Sequence, residues 1–456
     1  VTRIAIIGGG PAGYEAALVA VQLGAEVTLV DRDGIGGMCV LADCVPSKTL
    51  IATSEAMTNL SHADLLGVHG DGDVGVRVGE VHARVKALAL AQSHDIAANL
   101  VREGVCLLAG PARLHPGRNV EVGAQEGTET IAADVVLVAT GAHPRVVAGA
   151  EPDGERILDW RQLYDLKELP EHLVVVGSGV TGAEFASAYL AMGCQVTLVS
   201  SRERVLPSED RDAAEQLQQV FVRRGMRVLR GRAAGVDRTN DGVVVRLVDG
   251  SSVEASHCLM TVGSVPNTVD MGLVESGVEL DQGGFVKVDR VSRTTAPGVY
   301  AAGDVTGVLM LASVAAMQGR IAMWHALGEA VSPLRLGTVA ANVFTDPEVA
   351  SVGVTQRQVD DGVVLAQSVR LPLATNARAK MQGLTDGFVK LFCRPGTGTV
   401  LGGVVVAPKA SELILSVSMA VQHGLTADQL AHTFSIYPSL GGSITEAARQ
   451  LMMHET

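Results

Sequence analysis

Arg3-Ile4-Ala5-Ile6-Ile7-Gly8-Gly9-Gly10-Pro11-Ala12-Gly13 decides the fold. A short β-branched run enters a turn of the form Gly8-x-Gly10-x-x-Gly13, and helical apolar spacing follows from Tyr14 to Leu23. A second apolar run, Glu26 to Val30, ends at Asp31. Strand, glycine turn, helix, strand and terminal acid form a βαβ unit suited to a dinucleotide. The glycines allow a tight turn and a close approach of pyrophosphate. The helix N-terminus favours the phosphate charge, and Asp31 suits a ribose diol. A bare glycine triplet is often only a turn; the flanking elements and the acid give this one its meaning.

The unit recurs. Leu173 to Val176 enters Gly177-Ser178-Gly179-Val180-Thr181-Gly182, a helix runs through Met192, and Gln195 to Val199 forms the next strand. Two copies mean two dinucleotides. At the second strand end, Ser200-Ser201-Arg202-Glu203-Arg204 stands in place of the acid. The Ser200 hydroxyl and the Arg202 and Arg204 guanidinium groups suit a 2′-phosphate, which an acid would repel. The alternative is a solvated basic turn.

Between the copies lies Gly36-Gly37-Met38-Cys39-Val40-Leu41-Ala42-Asp43-Cys44-Val45-Pro46-Ser47-Lys48. On a regular helix Cys39 and Cys44 would lie about 140° apart, too far to bridge, so a disulfide needs a distorted or only partly helical backbone. On the pair alone, a redox device and two buried free thiols both remain open. Asp43 places a negative charge beside Cys44, which disfavours its thiolate. Gly34 to Gly37 is a loop able to pass close to a cofactor. Cys106, Cys194, Cys258 and Cys393 are scattered singly and are expected to be buried spectators.

Elsewhere, Ile51 to Val105 is helical in pattern, with a glycine- and aspartate-rich interruption at Gly67 to Gly75. Val135 to Gly141 is a buried strand ending in a glycine turn. Thr294 to Asp304 gives a turn, a strand and an acid at the strand's exposed end, and Leu311 to Leu327 a helix. After Ala340 come strands at Val389 to Cys393 and Val400 to Val406, with amphipathic helices at Ser411 to His423 and Ala427 to Ala431. This change of character marks a separate α+β domain. A chain of 456 residues divides into roughly 2–4 domains. A net charge of −13 argues against a nucleic-acid surface. Six cysteines in such a length do not make a secreted disulfide framework. No stretch approaches the roughly 18–20 apolar residues of a membrane span, and Ile4 to Ile7 is too short for a secretion signal. The expectation is a soluble, cytoplasmic protein without a metal site.

Taken together the chain resembles the flavoprotein disulfide reductases, and among them the dihydrolipoamide dehydrogenases. The carriers are Gly8 to Gly13, Cys39-x4-Cys44-Val45-Pro46-Ser47-Lys48, Ala139-Thr140-Gly141, Gly177 to Glu184, Val262 to Asn267, Ala302-Gly303-Asp304, Phe344 to Glu348 and Thr385 to Phe388. The resemblance implies an α/β chain with two Rossmann-like domains and a C-terminal α+β dimerisation domain. Residues 1–150 and 271–339 would bind FAD, residues 151–270 NADPH or NADH, and residues 340–456 would form a homodimer interface. It also implies that Gly37, Thr140, Gly141, Gly263 and Gly303 line cofactor, that Asp304 reaches the ribityl chain, and that Lys48 and Glu184 pair beside flavin and nicotinamide. Cys44 would be the thiol next to the flavin and Cys39 the exchanging one.

The departures from that pattern shape the function expected. Relatives end in His-Pro-Thr-x-Ser-Glu, whose His is the base for the partner subunit's exchange cysteine. Here Tyr437 replaces the His and Gly442 the Glu, and the nearest alternative, His432, is expected at the surface. Met38 replaces a phosphate-facing Thr, and Ser313 and Gln318 replace a His and a Glu. A tyrosine ionising near ~10 does not replace an imidazole near ~6.5. Losing general acid–base help costs about 10²–10⁴ in rate. The reading is therefore electron transfer from NAD(P)H through flavin to a quinone-type acceptor, with Tyr437 facing the acceptor. The alternatives are a disulfide reductase with another base and a retired FAD-binding scaffold or redox sensor.

Overall fold

The structure, a computed structural model, describes residues 1–70, 74–124 and 127–452. It divides into two compact units, Val1–Thr49, His82–Arg145 and Gly263–Arg335 in one, and Leu50–Val81, Val146–Val262 and Leu336–Thr456 in the other. In the expected helical stretch, helices Cys44–Ser61 and Val78–Arg102 flank a single turn at Ala63–Leu66. Residues 71–73 of the expected interruption lie outside the described residues.

The first unit is built on a parallel sheet in the order Val299–Ala301, Val135–Val138, Arg3–Ile7, Glu26–Asp31, Cys106–Ala109. Such a sheet is covered on both faces, so its strands are continuous apolar runs. Alternation sorts the side chains. Ile4, Ile6, Leu29 and Leu137 pack against helices Pro11–Gln22 and Ala312–Ala326. Ala5, Ile7, Val30, Val136 and Val138 pack against Leu114, Val120 and Val122 of an antiparallel three-stranded layer. The two helices cross closely, since a Cβ on Gly319 would lie 2.1 Å from the Ala12 carbonyl oxygen. The Arg320–Glu15 ion pair, at 2.8 Å, ties them further.

The second unit holds a parallel sheet in the order Arg227–Arg230, Gln195–Ser200, His172–Val176, His257–Met260, Ile157–Asp159. It also holds an antiparallel one in the order Ala340–Val343, Glu348–Gly353, Val400–Ala407, Phe388–Cys393, Gln367–Pro372. Helices Ala410–His423, Ala427–Ala431 and Gly442–Gln450 cover the antiparallel sheet through Ile414, Val417, Leu430 and Ile444. The last strand of the parallel sheets is Val299–Ala301, and all five strands of the antiparallel sheet follow from Ala340, where the sequence changes character.

Two expectations are corrected. Cys106 is exposed rather than buried, because it begins an edge strand. Asp304 does not sit at an exposed strand end. It starts the short turn Asp304–Thr306 beyond strand Val299–Ala301 and is half-buried there.

Candidate active site

The first fingerprint folds as its glycines require. Gly8 has φ 111°, and a Cβ on it would lie 2.2 Å from the Ala139 carbonyl oxygen; one on Gly13 would lie 1.8 Å from that of Gly8. The second copy repeats this geometry. Gly177 has φ 117°, and a Cβ on Gly182 would lie 1.9 Å from the Gly177 carbonyl oxygen. Gly10 and Gly179 begin their helices with near-identical dihedrals, φ −70° and ψ −175° against φ −74° and ψ −171°. Space opens in front of both residues. In each copy the N–H groups of the first turn therefore face a gap that suits a pyrophosphate.

In the first unit Asp31 accepts backbone N–H bonds from Gly9 at 2.6 Å and from Asp33 and Gly34 at 2.7 Å each. A cavity of about 220 Å³ opens beside it, lined by Gly8, Asp33, Thr140, His143 and Asn267 among others. Thr140 and Asn267 lock that wall reciprocally, Thr140 Oγ1 donating to the Asn267 carbonyl at 2.8 Å and Asn267 Nδ2 to that of Thr140 at 2.7 Å. Gly141 accepts from the Asn267 N–H at 3.0 Å. Gly263, with φ 97°, accepts from the Arg145 N–H at 2.9 Å. Gly37 packs on the fingerprint turn, where a Cβ would lie 2.9 Å from Gly10 Cα. An anchored carboxylate, an open helix N-terminus and a cavity between them fit the adenosine diphosphate half of FAD.

The same unit carries the thiols. Helix Gly37–Leu41 breaks at Ala42, where φ is −142°, and the chain restarts as Cys44–Ser61. That break is the partly helical backbone a disulfide would need; here both thiols are free and lie close enough to bond to each other. Their mutual contact, then burial and Asp43, push the Cys44 thiol up, while the same contact lowers Cys39. Lys48 lies close enough to favour both thiolates, and its Nζ contacts Ser47 Oγ at 3.3 Å. Asp304 is pushed up to about 6 by burial and then by the charge of Asp43.

One residue escaped the sequence reading as a member of this site, and a second was read there only as the replacement for a Glu. Tyr14, directly after the glycine turn, is pushed up to about 12 by burial, then by Cys39 and Glu15. Gln318 is 1% exposed; its Oε1 accepts the Gly303 N–H at 2.9 Å and its Nε2 donates to Thr306 Oγ1 at 3.4 Å, which fixes Gly303 and Asp304. Its trace in the sequence is a polar residue on a helix face otherwise made of Ala315 and Ala322.

In the second unit Ser200 is 2% exposed and turned inward. Its Oγ pairs with Ser178 Oγ at 2.7 Å and donates toward the carbonyls of Arg202 at 3.0 Å and Arg204 at 3.3 Å. Ser200 thus ties the turn, while Arg202 is exposed and Arg204 pairs with Glu203 at 3.4 Å and Glu215 at 3.7 Å. Glu184, buried in helix Val180–Ala191, accepts the Phe344 N–H at 2.8 Å. Tyr437 is 85% exposed in the single chain, beside exposed Phe434 and Ile436. His432 is exposed, as expected, with Nδ1 2.7 Å from the Asp428 carbonyl. Among the described residues no helix is long and apolar enough to cross a membrane.

A twice-used dinucleotide fold with a cysteine pair at its first copy defines a flavin-linked pyridine-nucleotide oxidoreductase. Residues 2–319 match the pyridine nucleotide-disulphide oxidoreductase family and residues 339–448 its dimerisation domain, so the chain belongs to that family, whose cofactors are FAD and NAD(P)H. It is similar to a protein of Mycobacterium tuberculosis named NAD(P)H dehydrogenase (quinone), 59% identical over 100% of this chain and 95% of the relative. It is 35% identical to the dihydrolipoyl dehydrogenase of Chlorobaculum tepidum, over 98% of this chain and 96% of the relative. The crystal structure of LpdA from Mycobacterium tuberculosis superposes with a TM-score of 0.95 at 58% identity, covering 99% of this chain and 100% of that one.

Proposed function

We propose that the protein passes electrons from NAD(P)H through FAD to a quinone-type acceptor, working as a homodimer. The observation that carries this reading is Tyr437, an exposed phenol at the position where the resemblance places the exchange base. A tyrosine can lie against a flat ring and donate to a quinone carbonyl, but it does not accept a thiol proton near neutrality. The relative named as a quinone dehydrogenase, similar over the whole chain, supports the same acceptor.

In this reading Gly8, Gly10, Gly13 and Gly37 surround the FAD pyrophosphate, Asp31 holds the ribose diol, and Thr140, Gly141, Gly303 and Asp304 follow the rest of the cofactor. Gly177, Gly179 and Gly182 receive the nicotinamide dinucleotide, Arg202 and Arg204 its 2′-phosphate, and Ser200 shapes their turn. Lys48 would orient the flavin end and Glu184 the nicotinamide end, and Gly263 would line cofactor. When bound, FAD supplies reversible two-electron transfer.

Steady-state oxidation of NADH and NADPH by the FAD-loaded protein, with a soluble quinone, lipoamide or glutathione disulfide, tests the reading. Quinone turnover should exceed either disulfide by about 10²-fold, the lower end of what a lost acid–base group costs. Lipoamide turnover equal to quinone turnover would refute it. The disulfide-reductase reading has one observation in its favour, the two free thiols Cys39 and Cys44 held together at the helix break, and such a result would establish it. Sedimentation as a monomer would remove the homodimer.

A further inference from the structure

We propose that Lys390, in the C-terminal sheet, is a positioning residue for the pyridine nucleotide, holding through Asp210 the loop that presents Arg202 and Arg204. This rests on reading that loop as the one that meets the ribose 2′ end. Lys390 lies in strand Phe388–Cys393 and is 3% exposed, a burial lysine seldom accepts unless paired. Its Nζ is 3.0 Å from Asp210 Oδ2 and 2.9 Å from Asp212 Oδ2. A buried ion pair stabilises less than apolar packing of the same volume, so its contribution lies in fixing one geometry.

What it fixes is the end of the loop. The other Asp210 oxygen caps helix Arg211–Arg223, accepting from the N–H groups of Asp212 at 3.0 Å and Ala213 at 3.3 Å. The helix then holds the loop from beneath, Val205 N–H donating to Gln218 Oε1 at 3.1 Å and Arg204 pairing with Glu215. Its outer side is joined to the same C-terminal region by Arg370 to Gln216 at 3.4 Å, Arg224 to Asp346 at 2.9 Å, and the Arg223–Asp386 ion pair. At the fingerprint, Leu206 N–H donates to the Ser178 carbonyl at 2.8 Å. The two arginines therefore hang between the glycine turn and a helix whose start Lys390 sets.

The test is NADP⁺ binding to the FAD-loaded enzyme by calorimetry, with NADPH kinetics beside it. Lys390→Met should raise the NADP⁺ Kd and the NADPH KM together by about fivefold or more, leaving kcat and the quinone KM within about twofold. In an Arg202→Ala/Arg204→Ala background the same change should add nothing, because the side chains it positions are gone; a structural staple would not show that coupling. If the arginine pair leaves NADP⁺ affinity unchanged, the reading of the loop is wrong. If the arginines matter but Lys390→Met leaves affinity within twofold while lowering Tm, Lys390 is a staple only and the proposal fails. Should Lys390→Met not fold, Arg224→Gln, at a partly buried pair just after the same helix, carries the test by the same criteria.

Discussion

Restoring the missing base is the sharpest perturbation of this site, and the structure says what it should cost. Gly442 opens helix Gly442–Gln450. A Cβ there would meet only Ser439 Oγ at 3.8 Å and Ser435 Oγ at 3.9 Å, both ordinary contacts. Replacing a helical glycine gains about 0.5–1 kcal/mol, and an acid in the first turn about 0.3–1 kcal/mol more. Tyr437, largely exposed in the single chain, gives up little burial on becoming His. Tyr437→His with Gly442→Glu should therefore fold as well as the parent or slightly better by thermal melt. If the absent base is what blocks thiol exchange, NADH-dependent lipoamide reduction should rise by as much as about 10²–10⁴. Lipoamide reduction needs Cys39 deprotonated and the departing thiolate protonated by the imidazolium, so the new activity should be bell-shaped in pH and fall as the imidazolium loses its proton. A double variant that folds, holds FAD and shows less than about a tenfold gain would refute the reasoning, since general-base help alone is worth more.

Three further outcomes follow from named contacts. Cys39→Ser should abolish any residual lipoamide turnover while quinone turnover persists; loss of both in a protein that still binds FAD would make the dithiol an obligatory relay. Gln318→Ala strands the buried Gly303 N–H and should cost about 1–3 kcal/mol in urea unfolding, with weaker FAD retention. Asp304 has a folded pKa raised from 3.8 to about 6, so its stabilising share is present below pH 4 and is lost as pH rises through 6. FAD-free Asp304→Asn should therefore be more stable than its parent at pH 8 by about 1–3 kcal/mol, yet hold FAD less tightly. Equal gains at pH 4 and pH 8 would contradict that sign.

How much was legible in the chain depended on how local the physics was. The two fingerprints could be read because each glycine answers a neighbour within a few residues, Gly8 to Gly13 and Gly177 to Gly182. A disulfide at the cysteine spacing would need a broken helix, and the helix does break at Ala42, with both thiols free. Where a side chain points is a different matter. Ser200 was legible as a polar substitute for an acid, but its hydroxyl turns to Ser178 and to carbonyls of its own turn, a choice set by backbone path rather than residue type.

Partners distant in sequence were beyond reach altogether. Lys390 sits inside a strand whose other members, Phe388, Val389, Leu391, Phe392 and Cys393, are as buried as it is. From the sequence it is one charge in an apolar run, which on an antiparallel strand would ordinarily mean a residue facing water. Asp210 and Asp212, 180 and 178 positions away, explain its burial. The same holds for Gln318, whose polar group answers the N–H of Gly303 across a helix crossing. In both cases the informative observation is a buried polar group on an otherwise apolar face, because such a group is retained only where a specific partner offsets its desolvation. Reading these residues as partnered rather than as exceptions turns an apolar run with one charge into a question about what lies opposite. Here that question leads from the C-terminal sheet back to the loop carrying Arg202 and Arg204.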